Sequence, residues 1–461
     1  MDQAKGGVKT ARILFALCLA CGLFLGCFLL FENVFAEDDP PQLAYGQNAA
    51  GDGVVIYGVG SYKGTALTIP ESYGGLPVVA VSSRAFINNS TLQTVYLPET
   101  VTEIGEEAFK NCTALVDVYL PEGVKTLGKN AFEGCDGLYF LAFPSTLTHI
   151  SEGAFRDCDM LTEVYFTPGN RSIGEDAFRG CVALQSVVLP DGFETVGKNA
   201  FRGCAGLFYV SLGESVVSVE GGAFYGCTAL SSMYFPPSLK VVGDSAFALC
   251  TALGGVTFSE GGLTLGEWVF GGCSALETLT LPQGIVSMGD YCFIGCTGLR
   301  SVSLPSDLAK LPNGTFEGCR SLTDLTIPEG MTTVGDYAFY SCGQLKLSLP
   351  ASIKRVGGWA FDGCSFTDLS YSGGKTQYEA LSVSIHNEAL KEALEKLMAA
   401  TPTPPEQKED VNKDGTVTVA DVASLLDYLA GKGTAGEDLT QDGSITVADV
   451  AYLLDYLAGK V

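Results

Sequence analysis

Two short runs near the C-terminus carry the residue types with the most evident chemistry. Asp410, Asn412, Asp414, Thr416, Thr418 and Asp421 place oxygen at positions one, three, five, seven, nine and twelve of a loop, with Gly415 at six. Hard divalent cations of calcium's size take such all-oxygen sets, and the glycine permits the sharp turn between ligands. The pattern returns 28 residues later as Asp438, Thr440, Asp442, Gly443, Ser444, Thr446 and Asp449. Each copy leads into Val-Ala-x-Leu-Leu-Asp-Tyr-Leu-Ala-Gly-Lys, so each is a calcium loop followed by a helix, and two ions are expected. The second site should be the weaker, because Thr440 offers a hydroxyl where Asn412 offers an amide carbonyl.

Cysteine is the other reactive type, with 16 in the chain. Twelve of them, Cys112 through Cys364, each stand three residues after a periodic Phe and form a column. In-register side chains point in parallel, holding their Cβ atoms near the ~4.8 Å strand spacing instead of the ~3.8 Å a disulfide needs. Free buried thiols packing as small apolar groups are the expectation. Asn89 occupies the first rung, and Cys292 replaces an Ala within its coil. Nucleophilic catalysis would need a base, and His149 and His386 are the only histidines, both placed at solvated positions. No catalytic residue is assigned.

Those columns require a repeat to position them. Phe86, Phe109, Phe132 and their successors through Phe339 recur every 23 residues, and Phe361 follows after 22. In one unit, Leu115, Val118 and Leu120 face inward from a short strand that Pro121 ends. Gly128 lets the chain bend back, and Ala131-Phe132 drives a ring between coils. No coil buries its apolar face alone, so neighbours must stack and both ends need caps. Val54-Val55-Ile56-Tyr57 and Ala66-Leu67-Thr68-Ile69 read as hairpin strands of the first cap. Leu390, Leu394 and Leu397 at helical spacing read as the last.

The phrases Leu-x-x-Val-x-Leu-Pro and Ile-Gly-x-x-Ala-Phe-x-Gly-Cys resemble the BspA-type leucine-rich repeat family of bacterial surface proteins. The resemblance implies a right-handed coil, mostly β with turns, and adhesion or ligand capture without catalysis. The C-terminal run resembles a type I dockerin: it lacks the incoming helix and ends each loop in Asp. That likeness implies a small all-α module with two calcium loop-helix units, docking to a cohesin on the scaffold of a cellulosome-like complex active on polysaccharide. Carried over position by position, the cohesin contacts fall on Val419, Ala420, Leu426 and Asp427. Their counterparts are Val447, Ala448, Leu454 and Asp455. Identical sets imply two docking orientations, and Leu-Asp where many relatives have Lys-Arg implies a different choice of cohesin.

The expected organisation follows. Residues 1–36 form a signal peptide cut after Ala36, or an uncleaved membrane anchor, since Lys5, Lys9 and Arg12 precede an apolar run from Ile13 to Phe31. Residues 45–372 form the solenoid with its hairpin cap, 373–400 a C-terminal cap and helix, 401–409 a Thr/Pro linker, and 410–461 the dockerin. A net charge of −25, from 27 basic and 52 acidic residues, excludes a nucleic-acid partner. The chain is expected to be secreted, extracellular or held at the cell surface through its scaffold, and to meet a membrane only through an uncleaved leader.

Alternate strand residues share one exposed face. Tyr96, Tyr119, Tyr165 and Tyr234 lie in one column of it, Phe140 and Tyr209 in the next. They form either a platform for a protein or glycan ligand or a stabilising strand-propensity stack. Two further readings stand beside adhesion: a dockerin-borne polysaccharide-degrading enzyme with an unrecognised site, and a structural or protease-inhibitory spacer.

Overall fold

The structure, a computed structural model, describes residues 42–400 and 419–429, together with 450, 453 and 454. The leader, the linker and nearly all of both calcium loops lie outside the described residues. The chain divides into two compact units, Met1–Thr251 and Ala252–Val461. Each winds as a β-solenoid, and together they carry about 14 turns.

In the first unit, three-residue strands pair in parallel one coil apart: Phe140–Ala142 with Glu163–Tyr165, and Ser186–Val188 with Tyr209–Ser211. A second ladder of two-residue strands runs beside it, from His149–Ile150 through Ser172–Ile173 to Val241–Val242. The second unit repeats both ladders, with Thr278–Thr280, Ser301–Ser303 and Asp324–Thr326 in one. Lys310–Leu311, Thr333–Val334 and Arg355–Val356 lie in the other.

The core follows from the repeat. Leu115, Val118, Leu120, Ala131 and Phe132 are all buried. Successive periodic rings stack nearly parallel, as between Phe178 and Phe201 at 5.3 Å and between Phe201 and Phe224 at 5.3 Å. The backbone is used as economically: the N–H of Phe109 donates to the carbonyl of Ala131 in the next coil, at 2.7 Å. Gly128 turns out to serve close approach, not left-handed φ. A Cβ there would lie 2.3 Å from the amide nitrogen of Glu106 in the preceding coil. The left-handed positions of that turn are Asn130 and Gly134.

The thirteen cysteines from Cys112 to Cys364 are free and buried. In the periodic column the thiols of Cys112, Cys204 and Cys342 each donate to a Phe carbonyl one coil back, at 3.0–3.1 Å. Asn89 fills the first rung by accepting from the N–H groups of Thr91 and Leu92. Burial pushes Cys112 and Cys250 up to about 12, which keeps them as unreactive thiols. Cys364, at the end of the column, is the exception: it is 8% exposed where the others are 0%, and its neighbour Cys342 draws it below the usual thiol range. An aromatic-disulfide reagent is therefore expected to leave the native column almost untouched, to modify Cys364 first, and to reach all thirteen on denaturation. Rapid native reaction at Cys135 or Cys204 would overturn this packing account.

The N-terminal hairpin differs from its expected pairing. Val54–Gly58 pairs antiparallel with Ala44–Gln47, not with the strand at Ala66. The reverse turn is closed by Asn48, whose side-chain oxygen accepts from the N–H groups of Asp52 and Gly53 at 3.2 Å. Ala66–Thr68 instead lies parallel to Thr94–Tyr96, because inward Leu67 occupies the same column as inward Val95.

At the other end, Ser382–Val383 adds a last strand to the second ladder and the N–H of Trp359 still donates to a backbone carbonyl, that of Ile385, but the N–H of Phe361 meets a side chain instead. Asn387, 1% exposed, accepts that bond at 2.9 Å and donates to the carbonyl of Gly357. The helix Glu388–Ala400 then buries Leu390 and Leu394.

Candidate binding faces and the calcium-loop module

The helix Val419–Leu429 begins within the expected first calcium loop. Its Val422 and Leu425 are buried together with Val450 and Leu453 in one apolar cluster, against which Leu429 packs. Those four residues are two pairs 28 residues apart, so the two copies share a core to which each contributes equivalent side chains. The next residue in each copy, Leu426 and Leu454, is outward and about half exposed, at 48% and 49%. Asp427 is also exposed. These are the described members of the expected cohesin-contact set. Val419, Ala420 and Asp421 are placed on the helix by backbone alone.

The remaining expected ligands, Asp410, Asn412, Asp414, Thr416, Thr418, Asp438, Thr440, Asp442, Ser444, Thr446 and Asp449, lie outside the described residues, as do Val447, Ala448 and Asp455. The donor set is carboxylate, amide and hydroxyl oxygen without sulfur or imidazole, which suits calcium and disfavours zinc or copper.

The aromatic strand face lies in the first unit. Tyr96 stands beside Tyr119 in the ladder, and Ala142 beside Tyr165. The rings of Phe140 and Tyr165 meet at 5.1 Å. Tyr119 donates its hydroxyl to Glu99 at 3.3 Å, and Tyr165 donates to Glu163 at 2.8 Å. Tyr209 and Tyr234 are half exposed on the same face. Two half-exposed rings absent from the expected set, Tyr139 and Phe208, stand one residue before this strand. Their signal was available: each directly follows an inward Leu, so each must turn outward.

Burial, reinforced by the adjacent carboxylates, pushes the hydroxyls of Tyr119 and Tyr165 up to about 12. Their folded values lie above the ordinary 10.0, so folding favours the neutral phenol. Above pH 10 the unfolded chain releases these protons while the folded chain retains them. Stability is then lost progressively as pH rises from 10 to about 12. Urea midpoints measured across that window should fall, and the fall should shrink in a Tyr119→Phe/Tyr165→Phe chain.

His149 sits on the second ladder, where Nδ1 lies 2.6 Å from the Ser172 hydroxyl. His386 stacks on Trp359 at 4.5 Å. Among the described residues no group of three or more His, Cys, Asp or Glu is placed to hold a metal ion. No described helix is long and apolar enough to cross a membrane.

These features define a leucine-rich-repeat solenoid carrying a dockerin. The BspA type leucine rich repeat model matches residues 79–207, 171–266 and 250–368, and the chain belongs to that family. The dockerin type I domain model matches residues 408–458. Type I dockerins bind calcium, and the domain implies a cohesin partner. Among solved structures, a leucine-rich repeat protein from Bacteroides ovatus ATCC 8483 shares the fold at 23% identity and a TM-score of 0.55. The match covers 76% of this chain and 99% of that one. A leucine rich cell surface protein from Faecalibacterium prausnitzii A2-165 is 28% identical over 75% of this chain and 99% of its own, with a TM-score of 0.43. No curated protein matches the chain.

Proposed function

We propose that the chain is an exported, non-catalytic binding subunit that a calcium-loaded dockerin attaches to a cohesin-bearing scaffold, while its solenoid captures a protein or glycan ligand. The observation that carries the docking half is the shared core of Val422, Leu425, Val450 and Leu453, with Leu426 and Leu454 left outward at equivalent places. An apolar residue half exposed in both copies of a duplicated module suits a buried contact with a partner. Calcium at Asp410, Asn412, Asp414, Thr416, Thr418 and Asp421, and at their second-loop counterparts, would fix both helix starts. A module of about 50 residues with so small a core needs that support.

The capture half rests on the half-exposed rings at Tyr119, Tyr209 and Tyr234, with Tyr96 on the rung before them and Phe140 and Tyr165 between them on one face. The test is calorimetric titration of the full chain against a panel of cohesins, first in calcium and then with chelator. Binding in calcium that weakens by at least about 100-fold on chelation is expected. A chain that still binds calcium but no cohesin would sink the docking reading. Alanine at Tyr119, Tyr165 and Tyr234 together should then abolish retention of ligand by the cohesin-bound chain; unchanged retention removes the tyrosine face from the account.

A further inference from the structure

Every coil turns through a residue with left-handed backbone two positions before its periodic Phe. In the first unit that place is held by residues such as Asn130, Gly153, Asp176, Asn199, Gly222 and Ser245, all with φ between 54° and 65°. Six of the eight are glycine or short polar types that tolerate the conformation, the other two being Arg84 and Glu107. In the second unit the same place holds Trp268, Tyr291, Gly314, Tyr337 and Trp359, and the non-glycine members have φ between 54° and 60°. Bulky rings are poorly suited to it, and the first unit shows that the turn does not require them. Both tryptophans of the chain stand in this one row.

The rings form two stacks, the second of which His386 extends from Trp359 at 4.5 Å. Trp268 lies 5.0 Å from Tyr291, and Tyr337 lies 5.1 Å from Trp359 at an interplanar angle of 2°. Between them the Gly314 coil supplies no ring, and Tyr291 leans over it: a Cβ on Gly314 would fall 2.1 Å from the Tyr291 ring. Trp268 remains 42% exposed.

Charge changes at the same boundary. Over the five residues from three before each periodic Phe to one after it, the first unit's eight turns contain seven bases and seven acids. Many of these are paired, as in Lys110–Glu133 at 2.9 Å and Arg156–Glu133 at 2.7 Å. The second unit's five turns contain no base and five acids: Glu267, Asp290, Glu317, Asp336 and Asp362. Asp290 accepts from the neutral amide of Asn313 at 3.0 Å, and Asp336 faces Arg355 at 3.5 Å. The Glu317 carboxylate, on the same coil as the ring-less step, meets no donor among the described residues.

We propose that this aromatic row is the docking surface for an extended, arginine- and lysine-bearing segment of a partner protein. Guanidinium groups stack on indole and phenol rings and pair with carboxylates beside them. The chain shows the first half of that arrangement within itself, with Arg202 4.0 Å above the Tyr225 ring. A neutral glycan would leave the one-sided charge without a counterpart, and an acidic partner would be repelled. This surface shares no residue with the strand face of the first unit or with the dockerin.

The two tryptophans make the test direct, because all indole emission comes from the row. The full chain in calcium is titrated with octa-arginine while its emission is followed. A saturable change that weakens with added salt is expected. Asp290→Asn/Glu317→Gln/Asp362→Asn should weaken binding by at least about tenfold, whereas Glu71→Gln/Glu103→Gln/Glu214→Gln, which removes equal charge from the first unit, should cost less than about twofold. Equal losses from both triple variants would show that octa-arginine follows net charge alone and would overturn the proposal. So would an emission change produced by a neutral β-glucan oligosaccharide and not by the peptide.

Discussion

Phe201→Ala is expected to lower the free energy of the first unit's unfolding transition by about 3–5 kcal/mol. Phe201 is fully buried, and its ring touches Phe178 on one side and Phe224 on the other at 5.3 Å each. Removing it deletes two stacking contacts and opens a void that neighbouring coils cannot fill, because their backbones are tied across the gap by bonds such as Phe201 N–H to Ala223 carbonyl at 2.7 Å. Stability in such an array is a sum over nearest-neighbour interfaces, so the damage should centre on three coils and spread little further. Urea unfolding gives the magnitude, and hydrogen exchange gives the location. A loss below about 1 kcal/mol, the scale of a volume-conserving swap, would mean that the ring column is not the main source of cohesion.

The second large effect concerns the docking module and needs two substitutions. Leu426→Lys and Leu454→Lys should each weaken cohesin binding by only about twofold, since the other copy still presents an intact contact set in the alternative orientation. The double variant should lose at least about 100-fold, because both orientations then bury a lysine where an apolar anchor belongs. Calorimetry with a cohesin that binds the parent chain distinguishes the cases. If one single variant abolishes binding, the module docks one way and the equivalence of its two faces is structural only. Calcium retention by the double variant guards against mistaking unfolding for lost contact.

Much of this architecture could be read from spacing. The period of the Phe column, the inward Leu and Val of each strand, and the thiol column all follow from one repeated phrase, and the structure places those side chains where the phrase requires. The dockerin was equally legible as a module, because metal coordination dictates residue type at fixed positions, and the family match covers residues 408–458. The ends of the solenoid were less so. A repeat tells which residues are equivalent but not what replaces the coil that is missing. Asn387 answers that with a side-chain amide in place of a backbone carbonyl, and Asn48 closes a hairpin whose partner strand lies upstream of the expected one. The row from Trp268 to Trp359 went unread for a different reason. Each of its members looks like an ordinary turn residue until the left-handed backbone at all of them is seen at once.

The bonds between coils also have a mechanical meaning. Within each unit, successive coils are joined by short backbone bonds and one thiol bond, repeated with little variation from coil to coil. In a subunit held by a scaffold at its C-terminal module and by a ligand on its solenoid, tension peeling the chain from one end would load these seams one at a time. Each seam that gives way would release 23 residues, or about 75 Å of extended chain, for the loss of roughly one strand spacing of about 5 Å. The solenoid would then act as a graded shock absorber, lengthening in equal steps at nearly equal force while the coils beyond the break kept their binding faces intact.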